Sequence, residues 1–403
     1  MIEGINFYNL GQGSIMISNE TKANIDQRVA VVRCNSYSKV KTALMSAMEY
    51  LGGLNQFCKP DQHLLLKPNL LLGDNPIKGT ATHPAFFAAV SEVLKTEGVN
   101  LYYGDSPAVG TPEMAVRNSG LSAVADVQGI ELADFVNVRD ISNPEGQLIK
   151  QFRLAQGLEG MDGIINLPKM KTHGLMRLTG AVKNLFGCLP GVQKAAFHAR
   201  LKNEFFFAEM LVDLAELLKP RLHIIDGVLG MEGNGPRNGE MRPIGVILVS
   251  TNPHALDHCF AQIINLDPNL VPTLQVAQSR SLYNPEEIEI LGEPISAFVI
   301  EDFNVNRSKA STTGTQKFYM NLFRDLATRK PVINEEKCTK CGRCVRVCPA
   351  KPKALRFSNG REQSPRYAYE HCIRCYCCQE VCPDEAIYIK TPFLGRLIEK
   401  IKV

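Results

Sequence analysis

Two stretches near the end of the chain share one cysteine spacing. CTKCGRCVRVCP carries Cys338, Cys341, Cys344 and Cys348, followed by Pro349; CIRCYCCQEVCP carries Cys372, Cys375, Cys378 and Cys382, followed by Pro383. Both read C-x2-C-x2-C-x3-C-P, the ligand pattern of [4Fe–4S] clusters that come in pairs. Two residues between ligands let a tight loop wrap three corners of a cube. The fourth cysteine is expected to begin a helix aimed at the other cube, so the ligand sets cross over. One cluster then takes Cys338, Cys341, Cys344 and Cys382, and the other takes Cys372, Cys375, Cys378 and Cys348. Zinc sites draw four ligands from two C-x2–4-C pairs, which the doubled four-cysteine run fits poorly. Cys377 falls between two ligands and is left as a spare thiol.

The chain has 13 cysteines, and nine lie between Cys338 and Cys382. The first residues, MIEGINFYNLGQGSIMIS, show neither the basic start nor the apolar core of a signal peptide. A reducing cytoplasm is therefore expected, and the clustered cysteines read as metal ligands rather than disulfides. No run approaches the roughly 18–20 apolar residues of a membrane span. A net charge of +4 over 403 residues gives no footing for nucleic acid. The charge is uneven, however: residues 331–403 hold 14 Lys and Arg against 8 Asp and Glu. Lys337, Lys340, Arg343, Arg346 and Arg374 are expected to offset the negative clusters and to dock an acidic redox partner protein such as a ferredoxin, flavodoxin or reductase. Residues 331–391 thus read as a small α+β two-cluster, ferredoxin-like domain for electron transfer. Residues 1–27 read as an N-terminal extension and 392–403 as a tail helix.

Residues 28–330 follow a different rule. RVAVVRC (28–34), HLLLKPNLLL (63–72), VNLYYGDSP (99–107), MDGIINLPKMKTH (161–173), RLHIIDGVLGMEGNGP (221–236) and IGVILVS (244–250) read as strands ending in polar or glycine-rich loops. Between them fall helical patterns: residues 82–98, with Thr82 as expected N-cap, then 203–220, and a helix from Asn252-Pro253. Strands alternating with helices predict an α/β domain with a mostly parallel sheet, built as one body or as two lobes around a cleft. Ligands of such sheets bind beyond the carboxyl ends of the strands. Lys67, Asn69, Asp105, Lys169 to His173, Asp226 and Asn252 fall there.

The segment NLPKMKTHGLMRLTGAVKNLFGCLPG (166–191) concentrates this chemistry. After the loop expected at 168–173, GAVKNLFG is expected to open a helix whose free N–H groups face an anion, with Lys183 and Asn184 just inside it. Lys169, Lys171, His173, Lys183 and His198 then surround one pocket for a phosphate or carboxylate. A Lys or His of shifted pKa there would serve as acid or base. His254 and His258 share a helix face but lack the glutamate of a zinc-protease motif, and Asp257 between them is a candidate to face the cleft. GMEGNGP is neither a dinucleotide fingerprint nor a phosphate-binding P-loop. Cys34, Cys58, Cys188 and Cys259 read as buried thiols.

KPNLLLG…ATHP, YYGDSP, NLPKMKTH, TGAVKNLFGCLPG and IIDGVLGMEGNGP occur in that order, and together they resemble the uncharacterised iron–sulfur-centre proteins of domain-of-unknown-function family 362. The resemblance covers nearly the whole chain and implies no particular reaction. A local resemblance is to the nickel-pincer lactate racemase family: His173, Lys183, Pro190-Gly191 and His198 follow that family's order. It implies a cofactor-anchoring Lys183, a proton-transferring His173 and a nickel-binding His198. The family's glycine run before its lysine is reduced here to Gly180, which argues against a nickel cofactor. The function expected is an iron–sulfur oxidoreductase relaying electrons to or from an anionic small molecule, with His173, Lys183 and His198 catalytic and Lys67, Asn69, Asp105, Lys169, Lys171, Asn184 and Asp226 binding. The alternatives are a carrier or adaptor subunit without catalysis and a metal-cofactor isomerase.

Overall fold

The structure is a computed structural model that describes residues 25–308 and 329–392 apart from Val192, Lys202 and Asn359. The extension expected at 1–27 and the tail helix at 392–403 lie almost wholly outside the described residues. The aliphatic runs form strands β1 (Arg28–Arg33), β2 (His63–Pro68), β3 (Asn100–Tyr103), β4 (Glu131–Leu132), β5 (Val138–Ser142), β6 (Gln151–Ala155), β7 (Gly163–Leu167), β8 (Lys169–His173), β9 (Arg177–Thr179), β10 (Leu222–Glu232), β11 (Glu240–Ser250) and β12 (Glu289–Gly292). The amphipathic stretches form α1 (Val40–Tyr50), α2 (Pro84–Lys95), α3 (Pro112–Asn118), α4 (Leu121–Gln128), α5 (Ala181–Asn184), α6 (Gln193–Arg200), α7 (Glu204–Leu218), α8 (Pro253–Ile263) and α9 (Pro272–Ser279).

The sheet runs β12-β1-β11-β10-β7-β2-β3-β4, and β8 attaches to β10 and β9. Along the main path β11 alone is antiparallel to its neighbours; the pairs from β10 through β4 are all parallel. This is the α/β architecture expected. Period-2 alternation assigns the faces. Leu64, Leu66, Ile165 and Ile224 pack with α1, α2 and α4 on one side. Leu65 and Ile164 turn to the other, where Ile225 and Leu248 meet α8 and α9, and α7 packs over α5. Each fully buried leucine contributes about 1.5–3 kcal/mol relative to exposure, so a sheet covered on both faces is held strongly where its strands end at the site.

Two local expectations need correction. Thr82 is not the cap of α2. Its hydroxyl accepts from Asn69 N at 2.8 Å and donates to Leu167 O at 2.7 Å, tying β2 to β7, and His83 Nδ1 instead accepts from Ala85 N at 3.2 Å. Nor is 168–173 a loop. Lys169–His173 is a strand with every residue buried, because β10 and β9 supply its backbone partners on both sides.

The cysteine-rich segment makes two small antiparallel ribbons, β13 (Lys330–Ile333) with β16 (Ile387–Lys390) and β14 (Leu355–Arg356) with β15 (Arg366–Tyr367). Short helices Arg343–Val347 and Cys377–Glu380 lie between them. The fourth cysteine of each run does not begin a helix, as the spacing suggested. The helix Arg343–Val347 stops at Cys348, whose ψ of 114° is extended, since Pro349 behind it disfavours the helical region.

Candidate functional site

The cysteines of the two runs fall into two groups. Cys338, Cys341, Cys344 and Cys382 line one small pocket, walled by Ile333, Ala386 and Ile387. Cys348 packs against Cys372 beside Ala350 and Ala354, and Cys375 lies near both Cys372 and Cys378. The structure thus brings each fourth cysteine to the opposite run. Among the described residues no trio of Cys, His, Asp or Glu closes to single-ion distance; the thiols stand around pockets instead. All-sulfur donors with apolar walls suit an iron–sulfur cluster, and these residues fit one.

The polar residues at the strand ends divide into two groups. Those in the interior are satisfied there. Lys67 Nζ lies 2.8 Å from Asp105 Oδ1 and donates to Pro68 O and Asn184 O at 2.9 and 3.0 Å. Gly187 must lack a side chain beside this pair, since a Cβ would fall 1.8 Å from Asp105 Oδ1. Lys169 Nζ lies 2.9 Å from Asp226 Oδ2 and 2.8 Å from Tyr37 Oη. Lys171 Nζ donates to Asn69 Oδ1 and Thr80 O, both at 2.6 Å, and burial together with Lys169 pushes its pKa down to about 7. Lys67, Lys169, Lys171 and Asp226, expected to contact a ligand, do not line the cavity described below; their charges are met inside the fold.

His173 is also redirected. Its Nδ1 accepts from Leu175 N and Met176 N at 3.0 and 3.1 Å, which places the ring proton on Nε2, 3.1 Å from Glu380 Oε1. With both nitrogens engaged, His173 joins the α/β domain to the cysteine-rich segment and is not a free acid or base. Burial opposes the charge of Glu380, but His173, Lys183 and His198 bring its pKa down to about 2.

The second group opens on a cavity of about 620 Å³, within the ordinary range for small-molecule sites. Asn69, Asp105, Lys183, Asn184 and His198 line it on the α/β side, and Arg346, Cys348, Cys377 and Glu380 on the other. The helices α5 and α6 present Lys183 and His198. Lys183 Nζ sits 4.8 Å from the centre of the Phe186 ring, and no hydrogen-bond partner for it is found among the described residues. Burial lowers its pKa. His198 stacks on Phe207 at 4.4 Å; its Nδ1 is buried without a partner, and burial pushes its pKa down to about 3. Lys194, unnoticed in the sequence, also lines the cavity. It donates to Ser106 O and Pro107 O, and burial lowers its pKa to about 8. Its one sequence signal was its place four residues before His198, one helical turn away.

The N–H groups of α5 do not face an anion from outside. Asp257 Oδ1 accepts from Ala181 N at 2.5 Å and Oδ2 from Val182 N at 3.2 Å. Asp257 therefore caps the helix rather than facing the cleft, and burial raises its pKa to about 7. His254 and His258 do not pair as metal ligands: His254 Nε2 lies 3.3 Å from Glu216 and His258 packs on Tyr283. Cys34, Cys58, Cys188 and Cys259 are buried thiols, as expected.

The glycine-rich loop after β10 has a role its sequence did not disclose. Arg237 Nη1 donates to Cys382 O at 2.7 Å while its other nitrogens hold Asp74. Gln379 Nε2 donates to Asn234 O at 2.7 Å, and Asn238 Nδ2 to Gln379 O at 3.3 Å. This loop docks the cysteine-rich segment beside the strand ends, so that the segment supplies one wall of the cavity.

A thylakoid-associated protein of Synechocystis sp. is 37% identical over 265 residues, 65% of this chain and 82% of that protein. Among solved structures, the lactate racemase apoprotein of Thermoanaerobacterium thermosaccharolyticum matches at a TM-score of 0.39 and 11% identity, over 57% of this chain and 55% of that one. A structural-genomics protein of Thermotoga maritima matches at 0.37 and 13%, over 57% and 59%. The chain thus spans under two thirds of either structure, and neither likeness is strong enough to transfer chemistry. The model of a 4Fe-4S dicluster domain matches residues 330–383, which supports an iron–sulfur electron-transfer role, and no described helix is long and apolar enough to cross a membrane. The model of a domain of unknown function, DUF362, matches residues 64–262, and with it this chain belongs to the DUF362 family, carrying a 4Fe-4S domain at its C-terminal end.

Proposed function

We propose that this protein is an oxidoreductase that relays single electrons through two [4Fe–4S] clusters to or from an anionic small molecule seated in the cavity. Cys338, Cys341, Cys344 and Cys382 would hold one cluster, and Cys372, Cys375, Cys378 and Cys348 the other. The α/β domain (28–330) holds the molecule and the ferredoxin-like domain (331–391) delivers the charge, in a reducing cytoplasm. The observation that carries this reading is a shared wall: Cys348 and Cys377 line the same cavity as Lys183, Lys194 and His198.

The residues then have distinct tasks. The Lys183 ammonium attracts the anion, Lys194 adds a second positive charge, and the Nδ1 of His198 offers a further polar contact. Asn69 and Asn184 are linked at 3.0 Å and shape the floor. A two-electron reduction takes two electrons, one at a time, and two protons. The lysine ammonium groups are the acids at hand, recharged from solvent. A redox partner docking on the basic face of the cysteine-rich segment supplies or removes the electrons.

The test is anaerobic purification followed by native mass spectrometry. About eight iron atoms per chain are expected, four for each cluster, together with a bound anionic organic molecule that Lys183→Gln loses. Four iron atoms, or equal occupancy in the variant, would overturn the reading.

A further inference from the structure

We infer that side-chain hydrogen bonds make the cavity-facing cluster the better electron acceptor, so that electrons pass from the solvent-facing cluster inward to the cavity. The inference rests on the two-cluster reading above and adds a direction to it. The solvent-facing pocket of Cys338, Cys341, Cys344 and Cys382 is rimmed by Thr339, Lys340 and Arg343, all exposed. The other set contributes Cys348 to the wall of the cavity.

The potential of such a cluster is set by its type, its exposure, the charge around it and the hydrogen bonds to its sulfurs. Type and ligand exposure are matched here. Each set has two buried cysteines, Cys344 and Cys382 against Cys372 and Cys378, and two half-buried ones, Cys338 and Cys341 against Cys348 and Cys375. Backbone donors serve both sets. Val345 N bonds Cys344 and Ala386 N bonds Cys382 at 3.3 Å; Arg374 N bonds Cys372 and Cys377 N bonds Cys375.

The sets differ in their side-chain donors. Tyr367 Oη lies 3.2 Å from Cys378 Sγ, and against a ligating thiolate the phenol is the donor. Tyr367 is held in place by the β14–β15 ribbon and by stacking on Tyr369 at 5.2 Å. The Cys377 side chain lies beside that of Cys375, placed to donate its thiol proton to the ligating sulfur. Among the described residues no hydroxyl or thiol donor reaches a sulfur of the first set. The doubled run sharpens the contrast: Cys377 occupies the place that Arg343 holds in the first run, and Arg343 is exposed. A donor on a thiolate draws off negative charge, which favours the more negative, reduced state. The second set carries two such extra donors, so the equilibrium of one shared electron lies toward the cavity. The thiol at Cys377, spare in the sequence, becomes a positioning residue for that electron.

The experiment is an EPR-monitored redox titration of the anaerobically purified full chain. Two midpoint potentials are expected, and Tyr367→Phe and Cys377→Ala should each move the higher one down and leave the lower one in place. Cys377→Ser, which keeps a donor, should restore the wild-type value; this pair of variants carries the test if Tyr367→Phe does not fold. Unmoved potentials, or a shift confined to the lower one, overturn the inference while the two-cluster reading stands. A single midpoint accounted for by one cluster per chain overturns both.

Discussion

Lys67 and Lys183 lie near each other in the fold, carry the same charge and do opposite things. Lys67 meets Asp105 in the interior, while Lys183 looks into the cavity over the rings of Phe186 and Phe207, with no hydrogen-bond partner among the described residues. Lys67→Met should destabilise the protein by about 3–5 kcal/mol, because it strands a buried carboxylate; adding Asp105→Leu should recover most of that in a denaturant titration. A double variant no more stable than the single one would show the pair is not coupled. Acid lability belongs at this scale as well. His198 and His223 are held neutral by burial, their pKa brought down from 6.5 to about 3. The unfolded chain therefore binds the extra protons, and stability falls as pH drops from about 6.5 toward 3, by up to about 1.4 kcal/mol per unit for each ring. His223 sits in the sheet, 2.9 Å from Asn166, and His223→Leu should flatten the fall in melting temperature over that window. An unchanged slope would remove His223 from the account. The sequence showed which residue types gather at the strand ends. It did not show which of them pair, because a partner such as Asp105 for Lys67 is fixed only when β2 and β3 lie side by side.

At the level of elements, the long aliphatic strands and the amphipathic helices were legible from their periods. β8 was not. KMKTH carries two lysines and a histidine, and a strand buried on all sides with that composition needs partners that lie far off in sequence: Asp226 for Lys169, Asn69 and Thr80 for Lys171, Glu380 for His173. The helix α5 misled in the same way. Its first N–H groups are free in the sequence and taken in the fold, by Asp257 from α8. Asp257→Ala should cost about 1–3 kcal/mol by leaving those donors buried and unmet, with Asp257→Asn losing less. Equal stability of wild type and Asp257→Ala in thermal unfolding would show that another group caps the helix.

For the whole molecule, the decisive feature is a junction. Neither the α/β sheet nor the cysteine-rich segment forms the cavity alone; each supplies one wall. The glycine-rich loop that holds them together had no recognised motif, since its job is to present backbone and the side chains of Asn234, Arg237 and Asn238 to Gln379 and Cys382. Arg237→Ala removes the link to Cys382 and the ion pair with Asp74, and should speed proteolytic cutting around residue 330 several-fold while the sheet stays folded. An unchanged cleavage rate would mean the remaining contacts suffice. A molecule in this cavity should exchange electrons with the clusters beside it. The most direct measurement mixes the reduced protein, free of oxygen, with the molecule that co-purifies and follows the cluster absorbance. Reoxidation should be faster than in buffer alone, with no such acceleration in Lys183→Gln. Reoxidation at the buffer rate in the wild type would contradict it.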